Sequence, residues 1–416
     1  MANVLTILLA GGAGERLFPL TRERAKPAVP FGAIYRIIDV TLSNCINSGL
    51  RKIFILTQYK ALSLNRHIRL GWNIVSPELG EFIEIVPPMK RVGEQWYQGT
   101  ADAVFQNIYS ILIEDPDYVL ILAADHIYKM DYQKMLEHHR RMGADVTVGT
   151  IPQPADEASR FGVVRQDAGG AITGFLEKPT GAACEALQRE GTVQTSMGIY
   201  LFTASKLVQM LRQDAGDMSS AHDFGKNIIP SMVDTHRVYS YPFVDENHQE
   251  ALYWRDVGTL DAYYEATMDL VSVRPTFNLY DHNWPIRTRS LQNPPAKFVF
   301  AQEGSRMGLA LDSIVSHGCI VSGGRVVQSV LSPDVRVNSY SEVQGAILFS
   351  GVSVGRYSRV KRCIIDRDVS IPENTQIGYD LDEDRARGYT VTESGVVVVG
   401  RPDPVEGEIG RSRNEV

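Results

Sequence analysis

The sequence predicts an α/β domain built on a mostly parallel sheet, followed by a C-terminal left-handed parallel β-helix. Three observations lead there: short apolar runs alternating with amphipathic segments of helix length; prolines clustered between Pro275 and Pro295; and, beyond them, rows of apolar residues spaced 17 apart.

Val4-Leu-Thr-Ile-Leu-Leu9 is apolar apart from one threonine and runs into glycines, as a strand buried on both faces does. Residues 53–57, 118–123 and 146–150 repeat the type. Between these runs, 101–113 and 132–142 carry apolar residues at three- and four-residue steps, the period of a helix. The alternation gives a Rossmann-like sheet covered on both faces, with ligands gathered at the carboxyl ends of its strands. A helical stretch ending near Val273 closes this domain at 1–275, and a proline-punctuated polar connection covers 276–295. In the β-helix, expected over 296–400, Ile320, Val337, Val354 and Ile371 form one row. Val326, Val343, Val360 and Ile377 form a second, and Ile314, Leu331, Leu348 and Ile365 a third. Apolar positions five or six apart within a period give coils of three short faces, which an ordinary sandwich of short strands does not. A tail fills 401–416.

Bulk properties narrow the function. A chain of 416 residues with 44% hydrophobic and 22% charged residues is an ordinary multidomain globular protein. A net charge of −7 without a basic run offers no footprint for nucleic acid or an anionic membrane. Cys45, Cys184, Cys319 and Cys363 are too far apart for metal knuckles, so they read as buried free thiols of a reducing cytosol. The apolar N-terminus lacks a basic region before it, and no stretch reaches the ~18 apolar residues of a membrane span. A cytoplasmic protein is expected.

Directly after the first strand comes Ala10-Gly-Gly-Ala-Gly-Glu-Arg-Leu17. Glycines let a backbone turn sharply and bring bare amides close to phosphate oxygens, so Gly11, Gly12 and Gly14 form either a phosphate cradle or a plain turn. No Gly-Lys-Ser/Thr follows, and a dinucleotide fingerprint would need a third glycine and a distal acid that are missing here. Arg16 within the loop and Lys26 in Arg24-Ala-Lys-Pro27 favour the cradle. Two cations there can bind a polyphosphate and neutralise charge on a leaving pyrophosphate.

Asp125, in Ala123-Ala-Asp-His-Ile-Tyr128, falls just past a strongly apolar run. It is either a Mg²⁺ ligand beside substrate phosphates or a helix N-cap or turn aspartate. Asp256, in Tyr253-Trp-Arg-Asp-Val-Gly-Thr259, has the same two readings, the helix in question starting near Thr259. Lys178, in Phe175-Leu-Glu-Lys-Pro179, stands at a strand end, where its ammonium is a point charge for a phosphate. Glu177 beside it can accept hydrogen bonds from sugar hydroxyls; the alternative is a solvated surface pair. No catalytic triad, zinc spacing or evident nucleophile occurs, which favours direct displacement at phosphorus.

These stretches, together with Trp96-Tyr-Gln-Gly-Thr-Ala-Asp-Ala103, His222-Asp-Phe-Gly-Lys226, Asn283-Trp-Pro-Ile-Arg287 and residues 36–49, 161–163 and 196–200, closely resemble the bacterial ADP-glucose pyrophosphorylases. The resemblance covers nearly the whole chain in order. It implies a nucleotidyltransferase domain that makes ADP-glucose and pyrophosphate from ATP and glucose 1-phosphate, for glycogen or a related α-glucan. By position it assigns glucose 1-phosphate to Tyr97, Gly162, Glu177, Lys178 and Ser196. It assigns ATP to Gly11, Gly12, Gly14, Arg16, Lys26, Gly99, Thr100 and Ala101, and Mg²⁺ to Asp125 and Asp256. Arg16, Lys26 and Asp125 are then the catalytic residues, and a homotetramer regulated by phosphorylated metabolites is expected.

The resemblance breaks at the effector positions. Members activated by fructose 1,6-bisphosphate carry a lysine before Arg24 where this chain has Glu23, a histidine where it has Pro30, and an arginine where it has Thr390. Arg36, Arg385 and Arg387 remain as anion ligands. A carboxylate at 23 repels a bisphosphate, which predicts weak activation or none by that metabolite and a different glycolytic activator; the alternative is drift at a solvated surface, with the same activator held by other cations. Two other readings stay open: a related transferase of different base specificity, and a regulatory subunit without catalysis.

Overall fold

The computed structural model describes residues 3–12, 14–88, 96–180, 191–247 and 251–401. Cys184 and tail residues 402–416 lie outside them. Two units, each discontinuous in sequence, make up the chain: Met1–Gly12, Ile38–Trp254 and Asp281–Arg287 form one, and Ala13–Ile37, Arg255–Tyr280 and Thr288–Val416 the other.

The first unit is built on β1 (Val4–Ala10), α1 (Ile37–Asn47, whose first residue belongs to the other unit), β2 (Lys52–Thr57), α2 (Leu62–Gly71) and β3 (Phe82–Val86). After these come α3 (Thr100–Phe105), α4 (Ile108–Glu114), β4 (Tyr118–Ala123), α5 (Tyr132–Met142) and β5 (Val146–Pro154). Then follow β6 (Gly162–Gln166), β7 (Ile172–Glu177), β8 (Thr192–Thr203), α6 (Ala204–Ala215) and β9 (Val238–Pro242). The strands order β7-β6-β8-β4-β1-β2-β3, with β5 beside β8 and β9 beside β5. The predicted apolar runs are its centre: β1 pairs parallel with β2 and with β4. Leu5 and Ile7 pack with Phe54, Leu56, Val119 and Ile121 in one core. The long strand β8 is antiparallel to β4, β5 and β6, so the parallel sheet carries an antiparallel flank that the alternation pattern does not foretell.

The helix expected over 101–113 is two, α3 and α4. Asn107 breaks it. Its side-chain amide donates to the Ala103 carbonyl at 2.8 Å and to the Tyr97 hydroxyl at 3.0 Å, and such bonds compete with the helical ladder. Part of the predicted connection is bound as well. Trp284 Nε1 donates to Asn44 Oδ1 at 2.8 Å, Asn47 Nδ2 to the Pro285 carbonyl at 3.0 Å, and the Arg287 amide to Ser43 Oγ at 2.7 Å. The buried Lys129 ammonium reaches Asp281 at 3.1 Å.

The second unit contains a left-handed parallel β-helix. Val326, Val343, Val360 and Ile377 stack in register as expected. The other two rows are correct except in the first coil: Val321, not Ile320, pairs with Val337, and Val315, not Ile314, pairs with Leu331. The cause is a corner one residue short. Gly323 and Gly324 make it, with Gly323 at φ 71°, and a side chain at 324 would stand 2.8 Å from the Asn338 carbonyl. Below that corner Tyr340, Tyr357 and Asn374 occupy the same left-handed position, at φ 62°, 60° and 58°. Such backbone is strained for residues with a Cβ. Tyr340 and Tyr357 stack, with ring centroids 4.9 Å apart.

Cys45, Cys319 and Cys363 are buried and free, as the sequence predicts. No helix among the described residues is long and apolar enough to cross a membrane.

Candidate active site

In the first unit, β1, β2 and β4 are parallel, so their carboxyl ends lie on one edge. Gly11 follows β1 and packs on Gln58, which follows β2; a Cβ at Gly11 would be 3.2 Å from that of Gln58. Among the described residues nothing stands within 4 Å of a Cβ at Gly12. Gln58 was not singled out in the sequence, because glutamine after a strand carries no pattern. Its amide donates to the Tyr97 carbonyl at 3.4 Å. The Tyr97 hydroxyl accepts from Asn107, and burial pushes its pKa up.

Asp125 stands two residues past β4, with about a third of its side chain exposed and His126 Nε2 at 3.7 Å. Its reading as a cap fails: Asp131 caps α5, accepting from the Gln133 amide at 2.9 Å. The His126 ring lies 4.9 Å from that of Trp254, and Phe161 meets Trp254 edge-on at 5.0 Å.

Glu177 ends β7 and Lys178 follows in a left-handed conformation, φ 50°, a strain that concentrates at functional positions. Lys178 Nζ is 3.6 Å from Glu177 Oε1, the lysine well exposed and the glutamate mostly covered. Two glycines wall the carboxylate. A Cβ at Gly162 would lie 2.8 Å from Glu177 Oε2, and one at Gly225 2.5 Å from it. Burial raises the Glu177 pKa, opposed by Lys178 and reinforced by the charge of Asp223. Ser196 lies at a bulge in β8, where its hydroxyl accepts from the Gly198 amide at 3.2 Å. Gly162, Glu177, Lys178 and Ser196 are thus all sited at strand ends or irregularities. Gly99, Thr100 and Ala101 open α3, and the Ala101 amide donates to the His222 carbonyl at 2.8 Å.

In the second unit, Gly14 has φ 68° and leads into a turn carrying Arg16. Thr21 Oγ1 donates to its carbonyl at 2.8 Å. Lys26 Nζ lies 3.1 Å from Asp256 Oδ1, the two side chains 9% and 13% exposed. Arg16 joins them: a Cβ at Gly258 would lie 2.8 Å from Asp256 Oδ1 and 3.0 Å from Arg16 Nη2. Desolvating such a pair costs several kcal/mol per ion, which its mutual attraction offsets. The cap reading of Asp256 also fails, because Thr259 itself caps the helix Leu260–Asp269, accepting from Ala262 at 3.2 Å. Asp125 and Asp256 offer hard carboxylate oxygens, the donor chemistry that suits Mg²⁺.

Residues 5–273 match the nucleotidyl transferase family, and 294–399 match the GlmU-like C-terminal hexapeptide family. The chain is 64% identical to a glucose-1-phosphate adenylyltransferase of Koribacter versatilis, with 96% of each chain covered. It is 54% identical to that of Rhodopirellula baltica, covering 97% of this chain and 91% of the relative. To the one from Anaeromyxobacter it is 51% identical, covering 98% and 100%. The chain belongs to the glucose-1-phosphate adenylyltransferase family.

Within this adenylyltransferase, the arginines expected at an effector site divide. Arg385 is paired with Asp382 at 2.7 Å, while Arg387 is paired with Glu383 and donates to the Gln376 carbonyl at 2.6 Å. Arg36 lies on a two-residue strand against Pro30. A second group, not foreseen as a cluster, surrounds Glu23. Its carboxylate is 3.7 Å from Arg367 and 3.6 Å from Arg401, and the neighbouring Arg24 holds Asp366 at 2.7 Å. Arg24 Nη1 and Arg367 Nε are buried without a hydrogen-bond partner among the described residues. Burial and the charges of Arg24 and Arg401 lower the Arg367 pKa.

Proposed function

We propose that this chain joins ATP and α-glucose 1-phosphate to give ADP-glucose and pyrophosphate, in the cytoplasm, as the committed step of glycogen or related α-glucan synthesis. The likeness to a glucose-1-phosphate adenylyltransferase along 96% of both chains carries the reading. An oxygen of the sugar phosphate forms a bond to the α-phosphorus of ATP in line with the bond that breaks, and pyrophosphate leaves. Gly11, Gly12 and Gly14 bring the loop backbone to the triphosphate, with Gly99, Thr100 and Ala101 on the nucleotide side. Arg16 and Lys26 neutralise the charge that grows on the leaving group. Glu177 accepts from sugar hydroxyls, Lys178 holds the sugar phosphate, and Tyr97, Gly162 and Ser196 complete that pocket. Asp125 and Asp256 are carboxylate ligands for Mg²⁺, which when bound polarises phosphate oxygens.

A regulatory subunit without catalysis is the weaker reading, because Arg16, Lys26, Asp125, Lys178 and Asp256 are all retained. Base choice follows the adenylyltransferase relatives. The deciding measurement is pyrophosphate release by the purified protein with glucose 1-phosphate and ATP, UTP or dTTP. Preference for UTP or dTTP, or no ADP-glucose formed, overturns the reading.

Regulation by phosphorylated metabolites is proposed at Arg36, Arg385 and Arg387, joined by Arg24 and Arg367, whose Nη1 and Nε have no hydrogen-bond partner among the described residues. Glu23 already supplies a carboxylate there, which fits weak activation by fructose 1,6-bisphosphate. A homotetramer is proposed as the assembly; a fully active monomer in sedimentation at micromolar concentration contradicts it.

A further inference from the structure

The opening of α3 is built directly against the turn after α6. Gly99 is extended, and a Cβ on it would stand 2.2 Å from the His222 carbonyl oxygen, so only glycine lets the two backbones meet. That carbonyl accepts from the amides of Ala101 at 2.8 Å and Asp102 at 3.2 Å. His222 itself is held in a left-handed conformation, φ 51°, its ring fixed by Asp214 at 2.8 Å. Thr100 completes the junction. Its hydroxyl donates to Asp223 Oδ2 at 3.0 Å and accepts from the Phe224 amide at 3.0 Å. The other Asp223 oxygen accepts from the amides of Gly225 and Lys226 at 2.9 and 3.1 Å, and Gly225 is the wall on which Glu177 rests. Hydrogen bonds run from Thr100 through Asp223 to the Gly225 amide, and the last link, from Gly225 to the Glu177 carboxylate, is close packing.

We infer that Thr100 is a positioning residue that couples the two substrate sites, transmitting nucleotide binding at 99–101 through Asp223 and the 222–226 turn to Glu177. This rests on the proposed assignment of 99–101 to the nucleotide and of Glu177 and Lys178 to glucose 1-phosphate. The Thr100 side chain is exposed, so water competes for its hydroxyl and the bond to Asp223 is weak in the free enzyme. A nucleotide lying over 99–101 excludes that water and strengthens the bond. The turn beneath Glu177 is then firmer when the sugar phosphate arrives. Linkage makes the effect reciprocal: each substrate raises affinity for the other by the same factor.

The test is calorimetric titration of glucose 1-phosphate with and without saturating α,β-methylene-ATP and Mg²⁺, which cannot react at the α-phosphorus. In the unaltered enzyme the analogue is expected to tighten glucose 1-phosphate binding by about fivefold. Thr100→Val should bring that ratio close to one, and Thr100→Ser should restore it. Asp223→Asn, which replaces the accepting oxygen by a donor, should reproduce the loss if the valine variant fails to fold. A ratio near one in the unaltered enzyme, an unchanged ratio in both Thr100→Val and Asp223→Asn, or no restoration by serine overturns the inference. Lys178→Gln separates this from the site assignment. It should weaken glucose 1-phosphate binding in both conditions and keep the ratio, whereas no weakening there means that the assignment itself has failed.

Discussion

The sheet of the first unit and the β-helix of the second hold their key residues in opposite ways. In the β-helix each apolar residue has equivalents one coil above and below, as Val343 has in Val326 and Val360. Stability there is close to a sum of similar local contributions. At the carboxyl edge of the sheet each group occurs once: one Asp125 past β4, one Glu177 walled by Gly162 and Gly225. Such a residue owes its place to several strands at once. Repetition distributes a role, whereas a strand edge concentrates it.

That contrast makes Asp125 the most exposed point. Asp125→Asn removes charge at nearly constant shape, so turnover should fall by on the order of a thousandfold or more while the melting temperature barely moves. Retention of most activity at saturating Mg²⁺ would break the comparison at its strongest point. Lys178→Gln should cost ~1.5 to 3 kcal/mol, a ten- to hundredfold rise in KM for glucose 1-phosphate, with KM for ATP nearly unchanged. In the β-helix the signs should reverse. Val343→Ala opens a cavity in a fully buried row, so it should destabilise by about 2 kcal/mol in denaturant unfolding, with turnover per folded molecule intact.

A titration sharpens the comparison within the first unit. Burial holds the pKa of His139 down at about 4, and its ring nitrogens meet Thr147 and Thr203 at 2.8 and 3.1 Å. An unfolded histidine titrates near ~6.5, so on acidification the unfolded chain takes up the proton first. Stability from this group is therefore complete above pH ~6.5 and is lost as pH falls towards ~4, reaching about 1 to 2 kcal/mol of loss by pH 5. Unfolding at pH 7.5 and 5 should show a smaller difference in His139→Gln. The smallest effect expected is regulatory: Glu23→Lys should raise activation by fructose 1,6-bisphosphate about two- to fivefold. Strong activation of the unaltered protein, with no gain from lysine, counts against the effector reading.

What could be read from the sequence follows the same division. The apolar runs located β1, β2 and β4 and therefore placed Gly11 and Asp125 at strand ends, because burial on two faces leaves a local compositional mark. The 17-residue rows did the same for the coils. Partners distant in sequence left no such mark: Thr100 and Asp223 are 123 residues apart, and Arg24 and Asp366 are 342 apart. Each member of those pairs looks locally like any polar surface residue. The break at Asn107 was hidden because a side-chain amide that bonds its own helix looks, in sequence, like a polar position on an amphipathic face.

The short corner at Gly323 and Gly324 bears on how this chain can change length. An insertion of one residue on a coil face turns every following side chain from inside to outside, and the apolar row beneath it is lost. At the corner the first coil is one residue shorter than its neighbours, yet Val326 still stacks on Val343. Deletions and insertions should therefore be accommodated at corners, one residue at a time, while the faces accept only whole coils.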